Sequence, residues 1–255
     1  MRRREKFVIS SLALSTLLVG IQYTPLEWRL LTILGLGLIT YLVSSWALSD
    51  DLSRHERLTI VPFPALFAMA IAWFYFLLPS AILTRLLMGL MYGFGMYGLL
   101  LTSNIFSVAK GRSIQLLYAA HAVSLFFTLL TSVLFADTIF SQNLPIYFLA
   151  PLIGLTHLPL ALMSLWSVKL SDFIEKDIML LAGLLSLLLT ELAIALSFFP
   201  LSAWNSALFV MSFLYISLGV IQSVIKERLF TQTLREYLAA AVLVVGVFVW
   251  FFPGK

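Results

Sequence analysis

The sequence predicts an all-α integral membrane protein, a single polytopic domain over residues 1–255 with nine transmembrane helices. Hydrophobic residues make up 61% of the chain and charged residues 11%, whereas soluble domains average roughly 45–50% and 25%. A transmembrane helix needs about 20 apolar residues. Continuous apolar runs, rather than alternating ones, indicate helices. Nine runs fit, at residues 7–24, 29–48, 59–78, 82–106, 114–135, 146–168, 178–199, 203–225 and 237–253.

The distribution of positive charge predicts the orientation of these helices. With nine spans, only Arg29, Arg85 and Lys255 of the sixteen Lys and Arg residues lie on the outer side. The basic residues concentrate on the cytoplasmic side of membrane proteins, so we expect a cytoplasmic N-terminus and an outer C-terminus in a bacterial inner membrane. The first run could alternatively be a cleaved signal peptide. No small-x-small cleavage site follows the apolar run before Thr24-Pro25, which favours a retained helix.

Similar landmarks recur about 120 residues apart and suggest a parallel internal repeat. Ser44-Ser45-Trp46 closes the second run, and Ser164-Leu165-Trp166 closes the sixth. The repeat units would be residues 7–112 and 114–228, followed by the last span at 237–253. Parallel repeats are a known transporter plan. The alternative is that interfacial Trp, turn Pro and basic residues recur in any polytopic protein.

Three ionisable residues lie deep within consecutive spans, namely His121, His157 and Glu191. At about 1.5 Å per residue they lie roughly 11, 16 and 20 Å from the inner edge of the membrane. Ionisable residues at such depth usually face the helix bundle or a water-filled cavity. We therefore predict a polar site between the fifth, sixth and seventh spans.

The helices that carry these residues support an inward face. In the fifth span a polar stripe accompanies His121 at helical spacing, formed by Tyr118, Ser124, Thr128 and Thr131. The sixth span contains Pro151 and Pro159, with Gly154 between them. Proline removes a backbone donor and kinks a helix, so His157 is expected beside a kink.

Two interpretations of the three residues remain open. They could line a cavity that carries a proton, a cation or a small polar solute, because Glu and His can exchange protons. Alternatively, each could hydrogen-bond a neighbouring helix, which contributes about 0.6–2 kcal/mol. Elsewhere, Gly89-x-x-x-Gly93 predicts close helix packing. Arg85 is expected to extend towards the lipid headgroups or to bind an anion.

The sequence lacks the motifs of the common enzyme classes. It contains no Cys, no His-Glu-x-x-His, no Gly-x-Ser-x-Gly and no phosphate-binding Gly-Lys-Ser/Thr, so we expect no catalytic activity and no cofactor. The loop with Asp50, Asp51, His55 and Glu56 offers potential metal ligands, but its arginines disfavour a metal site. The net charge of the whole chain, +4, reflects the basic inner loops and predicts no nucleic-acid partner.

Two segments resemble a known but uncharacterised group of proteins. Val61-Pro62-Phe63-Pro64-Ala65-Leu66-Phe67 opens the third span, and Arg235-Glu236-Tyr237-Leu238 opens the last. In these segments the chain is similar to bacterial multi-spanning membrane proteins grouped as a domain of unknown function. The resemblance implies no activity and no site residues.

Taken together, the sequence favours a non-catalytic membrane subunit or scaffold. Its expected partners are the lipid bilayer and a membrane protein, either a different one or a second copy. The alternative is a small transporter that moves a proton, a cation or a polar solute through a cavity between the fifth, sixth and seventh spans. A hydrated cavity that reaches His157 or Glu191 would distinguish the transporter.

Overall fold

The computed structural model describes residues 3–50, 56–108, 114–171 and 173–250, and within these ranges the regular structure is entirely helical. The predicted all-α class is therefore confirmed. A 3-10 turn at Leu26–Trp28 precedes the second helix. The α-helices are α1 (Arg3–Ile21), α2 (Arg29–Ala47), α3 (Glu56–Thr59), α4 (Pro62–Tyr75), α5 (Ile82–Ser107), α6 (Ile114–Ser141), α7 (Ile146–Lys169), α8 (Lys176–Ser197), α9 (Ala203–Ile225) and α10 (Thr231–Trp250).

Eight segments in the described ranges are helical, long and apolar enough to cross a membrane, so the predicted count of nine is not confirmed. The helix that makes the difference is α1. It is 19 residues long, but its first residues include Arg3, Arg4, Glu5 and Lys6. Charge within the helix lowers its mean hydropathy, although its length of about 28 Å is close to the thickness of the hydrocarbon core.

The chain divides into two compact units, Met1–Phe127 and Thr128–Lys255. In the first unit α1 packs on α5, and α2 packs on α4. Glycine makes the first contact possible, because a Cβ at Gly89 would lie 2.9 Å from Val19 and one at Gly93 would lie 3.4 Å from Ser15. Ser15 Oγ donates a 2.6 Å hydrogen bond to the Gly89 carbonyl. The predicted close packing at Gly89 and Gly93 is thus confirmed.

In the second unit α7 packs on α8 and α9, and α10 packs on α9. Gln222 of α9 donates a 3.0 Å hydrogen bond to Ser164 Oγ of α7. At the edge of the unit, α10 has no buried residue. The ring of Tyr237 instead lies over Gly219 of α9, where a side chain would overlap it. Helix α10 therefore contacts α9 without fully burying any of its own residues.

Two features bear on the predicted organisation. Under the predicted repeat the α2–α4 pair of the first unit corresponds to the α7–α8 pair of the second, and both pairs pack together. This shared contact does not establish a duplication, so the repeat stays a prediction. The division between the units falls within α6. The loop residues Asp51 and His55, considered above as metal ligands, lie outside the described residues.

Helix α6 is longer than the sequence analysis predicts. It continues to Ser141, six residues past the expected end of the span at 135. Asp137 follows the predicted end of the span by two residues. The backbone continues because no Gly or Pro follows before Pro145, and the helix ends near Asn143, whose φ is 50°. Asp137 is consequently a helical residue within a candidate span.

Candidate functional site

His157 lies in the interior of the second unit and is fully buried. Its Nδ1 donates a 2.8 Å hydrogen bond to the Ile153 carbonyl, one turn earlier in α7. Because a carbonyl can only accept, Nδ1 carries a proton, and Nε2 of the neutral ring is an acceptor. Ser132 Oγ of α6 lies 2.9 Å from Nε2 and donates to it. Both ring nitrogens are therefore satisfied within the chain.

A small-residue contact between α7 and α8 lies one turn from His157. Ser186 Oγ of α8 donates a 2.8 Å hydrogen bond to the Gly154 carbonyl, and a Cβ at Gly154 would overlap Thr190 Oγ1. Thr190 Oγ1 in turn donates to the Ser186 carbonyl. The absence of a side chain at Gly154 thus lets the two backbones approach. This role is distinct from a kink.

The predicted proline positions do not divide the helix. Pro151 and Pro159 both lie inside α7, which is assigned as one helix from Ile146 to Lys169. Pro151 is exposed, whereas Pro159 is half-buried. The predicted kink beside His157 stays a prediction.

The predicted polar stripe of α6 is mostly buried. Ser124, Thr128 and Thr131 are 6%, 2% and 0% exposed, whereas Tyr118 is 57% exposed. The stripe is thus buried from Ser124 onwards but exposed at Tyr118. Tyr118, which lies closer to the start of α6, does not share this burial.

His121 lies in the first unit, whereas His157 and Glu191 belong to the second. Its Nδ1 donates a 2.8 Å hydrogen bond to the Leu117 carbonyl of its own helix. The ring makes an edge contact with Phe106 of α5, with the centroids 5.3 Å apart. These contacts are typical of a half-buried structural histidine.

Glu191 has surroundings very different from those of His157. It is exposed on α8, and it makes no hydrogen bond or ion pair with the residues that the structure describes. His157, on the adjacent helix, is enclosed. The predicted cavity shared by His121, His157 and Glu191 therefore stays a prediction.

Asp137 is not among the site residues predicted from the sequence. The whole residue is 7% exposed, and it too has no hydrogen bond or ion pair among the described residues. The absence of any helix breaker between Asp137 and Pro145 was the signal that could have found it. An acidic residue that ends an apolar run need not end the helix.

Two cavities lie near the ends of the helices of the second unit. One, of about 670 Å³, lies where α6 and α8 end and α7 and α9 begin; its lining includes Phe140, Ser141, Asn143 and Phe199. We call it the turn cavity. The other, of about 490 Å³, lies between α9 and α10 and is mainly apolar. Neither cavity is lined by His157 or Glu191.

The first unit contains a separate polar network around Arg85. Its Nε donates a 2.7 Å hydrogen bond to Gln22 Oε1, which also accepts from the hydroxyl of buried Tyr75 at 3.1 Å. The guanidinium lies 4.5 Å from the ring centre of Tyr23 and donates to its hydroxyl. These contacts fix the side chain at the first turns of α5. They do not show whether Arg85 binds an anion, so that alternative stays a prediction.

Comparisons with known proteins do not identify the chain. No family model matches it, and no curated protein or solved structure does so either. The resemblance to the bacterial membrane family thus stays a prediction. Among the residues that the structure describes, no group of three or more His, Cys, Asp or Glu side chains could hold a metal ion.

Proposed function

We propose that this protein is a non-catalytic, multi-pass membrane subunit or scaffold that binds a transmembrane helix of another protein. The observation that carries the proposal is Glu191, an exposed carboxylate on a candidate membrane span with no partner in the described part of the chain. At about 1.5 Å per residue it lies roughly 9 Å before the end of α8 at Ser197. A carboxylate facing lipid at that depth is costly.

The exposed side of α8 around Glu191 is otherwise apolar. Leu180, Leu184 and Leu187 are 63%, 50% and 61% exposed, and with Glu191 they follow steps of four, three and four residues. This spacing places the four residues on one side of α8. We call it the Glu191 face. A helix packed there would cover the leucines and could pair with the carboxylate.

Charge complementarity favours a different protein over a second copy. Two copies joined through this face in the same orientation would bring their Glu191 carboxylates together, and like charges repel strongly in an apolar environment. A partner helix with Lys, Arg or His at the matching depth would neutralise the carboxylate instead. Paired charges are the usual arrangement inside membranes.

The contacts of His157 support the structural interpretation of the buried polar residues. Its two hydrogen bonds, to Ile153 and Ser132, use both ring nitrogens. The residue therefore has no free site for a transported proton while these bonds persist. The transporter alternative, with a pathway through His157 and Glu191, stays a prediction.

The proposal includes nine spans with the N-terminus in the cytoplasm. Helix α1 supports the ninth span because its Ser15 and Val19 pack on Gly89 in α5, itself a candidate span. Lys6 of α1 pairs with Asp50 just after α2 at 2.8 Å. This pair is consistent with the start of α1 and the end of α2 on one side of the membrane.

Photo-crosslinking in cells tests the Glu191 face. A photoreactive phenylalanine analogue would replace Leu187 on the face, and Val242, which is 73% exposed on α10, in a control. We expect a crosslink from position 187 to a transmembrane helix that carries a basic residue. Glu191→Lys should lower its yield about tenfold or more, because truncating or reversing a desolvated charge pair costs several kcal/mol.

Charge exchange provides the decisive control. Reversing the partner's basic residue to Glu should restore the crosslink in the Glu191→Lys variant, whereas Glu236→Lys, an exposed reversal at the start of α10, should leave the wild-type crosslink unchanged. Crosslinks only to lipid or only to a second copy would overturn the proposal. An undiminished crosslink in Glu191→Lys would do the same.

A further inference from the structure

The turn cavity combines an aromatic wall with polar groups. Its lining includes the rings of Phe140, Phe198 and Phe199, with the side chains of Ser141, Asn143 and Ser206 beside them. Its volume of about 670 Å³ is within the usual range for small-molecule sites, about 300–1,000 Å³. The lining includes no Lys, Arg or His, so nothing in the wall favours an anion.

Asp137 lies one helical turn before this cavity. On α6, Phe140 and Ser141 follow it by three and four residues and therefore share its side of the helix. Asp137 as a whole residue is 7% exposed. It has no hydrogen bond or ion pair with any described residue.

A carboxyl group enclosed in a helix bundle without a partner is either neutralised by a proton or paired with a compensating charge. Removing such a group from water costs several kcal/mol unless it is paired, and intramembrane acids are usually paired or functional. The other described charged residues do not provide a pair here. A positive charge that pairs with Asp137 would therefore have to come from a ligand.

The surroundings distinguish between kinds of cation. A divalent metal ion is usually bound by several oxygen ligands that include more than one carboxylate, and Asp137 is not part of any group of three His, Cys, Asp or Glu side chains among the described residues. Aromatic rings attract organic ammonium ions through the negative face of the π system. Hydroxyl and amide groups such as those of Ser141 and Asn143 can accept hydrogen bonds from them.

We propose that the turn cavity binds a small organic ammonium ion, with Asp137 as its counter-charge and Phe140, Phe198 and Phe199 as its aromatic wall. The inference is independent of the partner helix on the Glu191 face, because it involves different residues. In the predicted topology the cavity opens on the outer side of the membrane. A ligand would therefore enter from outside the cell.

Binding of radiolabelled choline to the full-length protein in detergent tests the proposal. We expect saturable binding that excess unlabelled choline displaces. The neutral isostere 3,3-dimethylbutan-1-ol, which has the same shape without the charge, should displace it much less well. Asp137→Asn should weaken choline binding about tenfold or more, because it removes the charge and nearly preserves the volume. Phe199→Leu should weaken it about two- to fivefold.

Asp177→Asn is the matched control, because Asp177 lies in the first turn of α8, at the opposite end of that helix from the cavity. This variant should bind choline as the wild type does. Thermal unfolding should show that Asp137→Asn still folds. Absence of saturable binding, equal displacement by the isostere, or unchanged affinity in folded Asp137→Asn would overturn the proposal.

Discussion

Ser132 and His157 join α6 to α7 through a 2.9 Å hydrogen bond between Oγ and Nε2. Since Nδ1 of the same ring donates to the Ile153 carbonyl, the ring is held in one neutral tautomer at the centre of the second unit. Both side chains are fully buried. An unpaired nitrogen there could reach no water, so the bond fixes how the two helices meet.

We predict that this hydrogen bond contributes measurably to stability. Ser132→Ala leaves Nε2 without a donor and should lower the free energy of unfolding by about 0.6–2 kcal/mol, the range of buried polar contacts in membrane proteins. A double-mutant cycle of Ser132→Ala with His157→Phe should give a coupling energy of about 0.6–1.7 kcal/mol. Reversible unfolding in mixed micelles with increasing dodecyl sulfate measures these values.

Ser197→Ala provides the control for that cycle. Its Oγ donates to the Ala193 carbonyl of its own helix, so its effect should add to that of His157→Phe without coupling. A coupling energy near zero for Ser132 and His157 would show that the bond is not a significant contact between α6 and α7.

Two glycines on adjacent helices should respond oppositely to the same substitution. A Cβ at Gly154 would overlap Thr190 Oγ1 and lie 3.6 Å from the Ser186 carbonyl. We therefore expect Gly154→Ala to destabilise the protein by about 1–3 kcal/mol through overpacking. At Gly183 no atom lies within 4 Å, and Gly183→Ala should be neutral or stabilising by up to about 1 kcal/mol. Unfolding in the same micelles measures both variants, and equal effects would contradict this account of the α7–α8 contact.

The fold was predictable where the signal depends on local composition. Apolar runs of membrane length located eight helices that are long and apolar enough to cross a membrane. The spacing of Gly89 and Gly93 indicated a close helix contact, which the structure shows between α5 and α1. Ends of helices were less predictable. The predicted span ended at residue 135, but α6 continues past Asp137 to Ser141, because a single acid does not break a helix when its backbone hydrogen bonds are intact.

The candidate site was only partly predictable, because depth in the membrane does not specify direction around a helix. The similar depths of His157 and Glu191 followed from their positions along the chain. Their different exposure depends on which side of α7 and α8 meets a neighbour. Glu191 follows the small-residue contact at Ser186 and Thr190 by a single position, which turns its side chain by about 100° around the helix.

Lys6 and Asp50 connect the start of α1 to the residues just after α2. The Lys6 ammonium lies 2.9 and 2.8 Å from the two carboxylate oxygens of Asp50. Hydrogen bonding and charge attraction from Lys6 lower the pKa of Asp50 below its ordinary value of 3.8, with a smaller contribution from the charge of Arg3. Burial opposes this shift but does not reverse it.

We predict that this pair stabilises the fold near neutral pH and loses its effect in acid. A carboxyl group with a lowered pKa in the folded protein contributes stability above its unfolded pKa of 3.8, and the contribution disappears as pH falls through the lower folded value. Carboxylate NMR titration should show the pKa of Asp50 rising towards 3.8 in Lys6→Met, whereas Lys6→Arg, which keeps the charge, should preserve most of the shift. The stability difference between wild type and Asp50→Asn should likewise be present at pH 7 and vanish below the folded pKa. An unchanged titration in Lys6→Met would mean that the pair does not persist in solution, because an exposed ion pair is maintained only if its attraction exceeds the entropy of holding two side chains together.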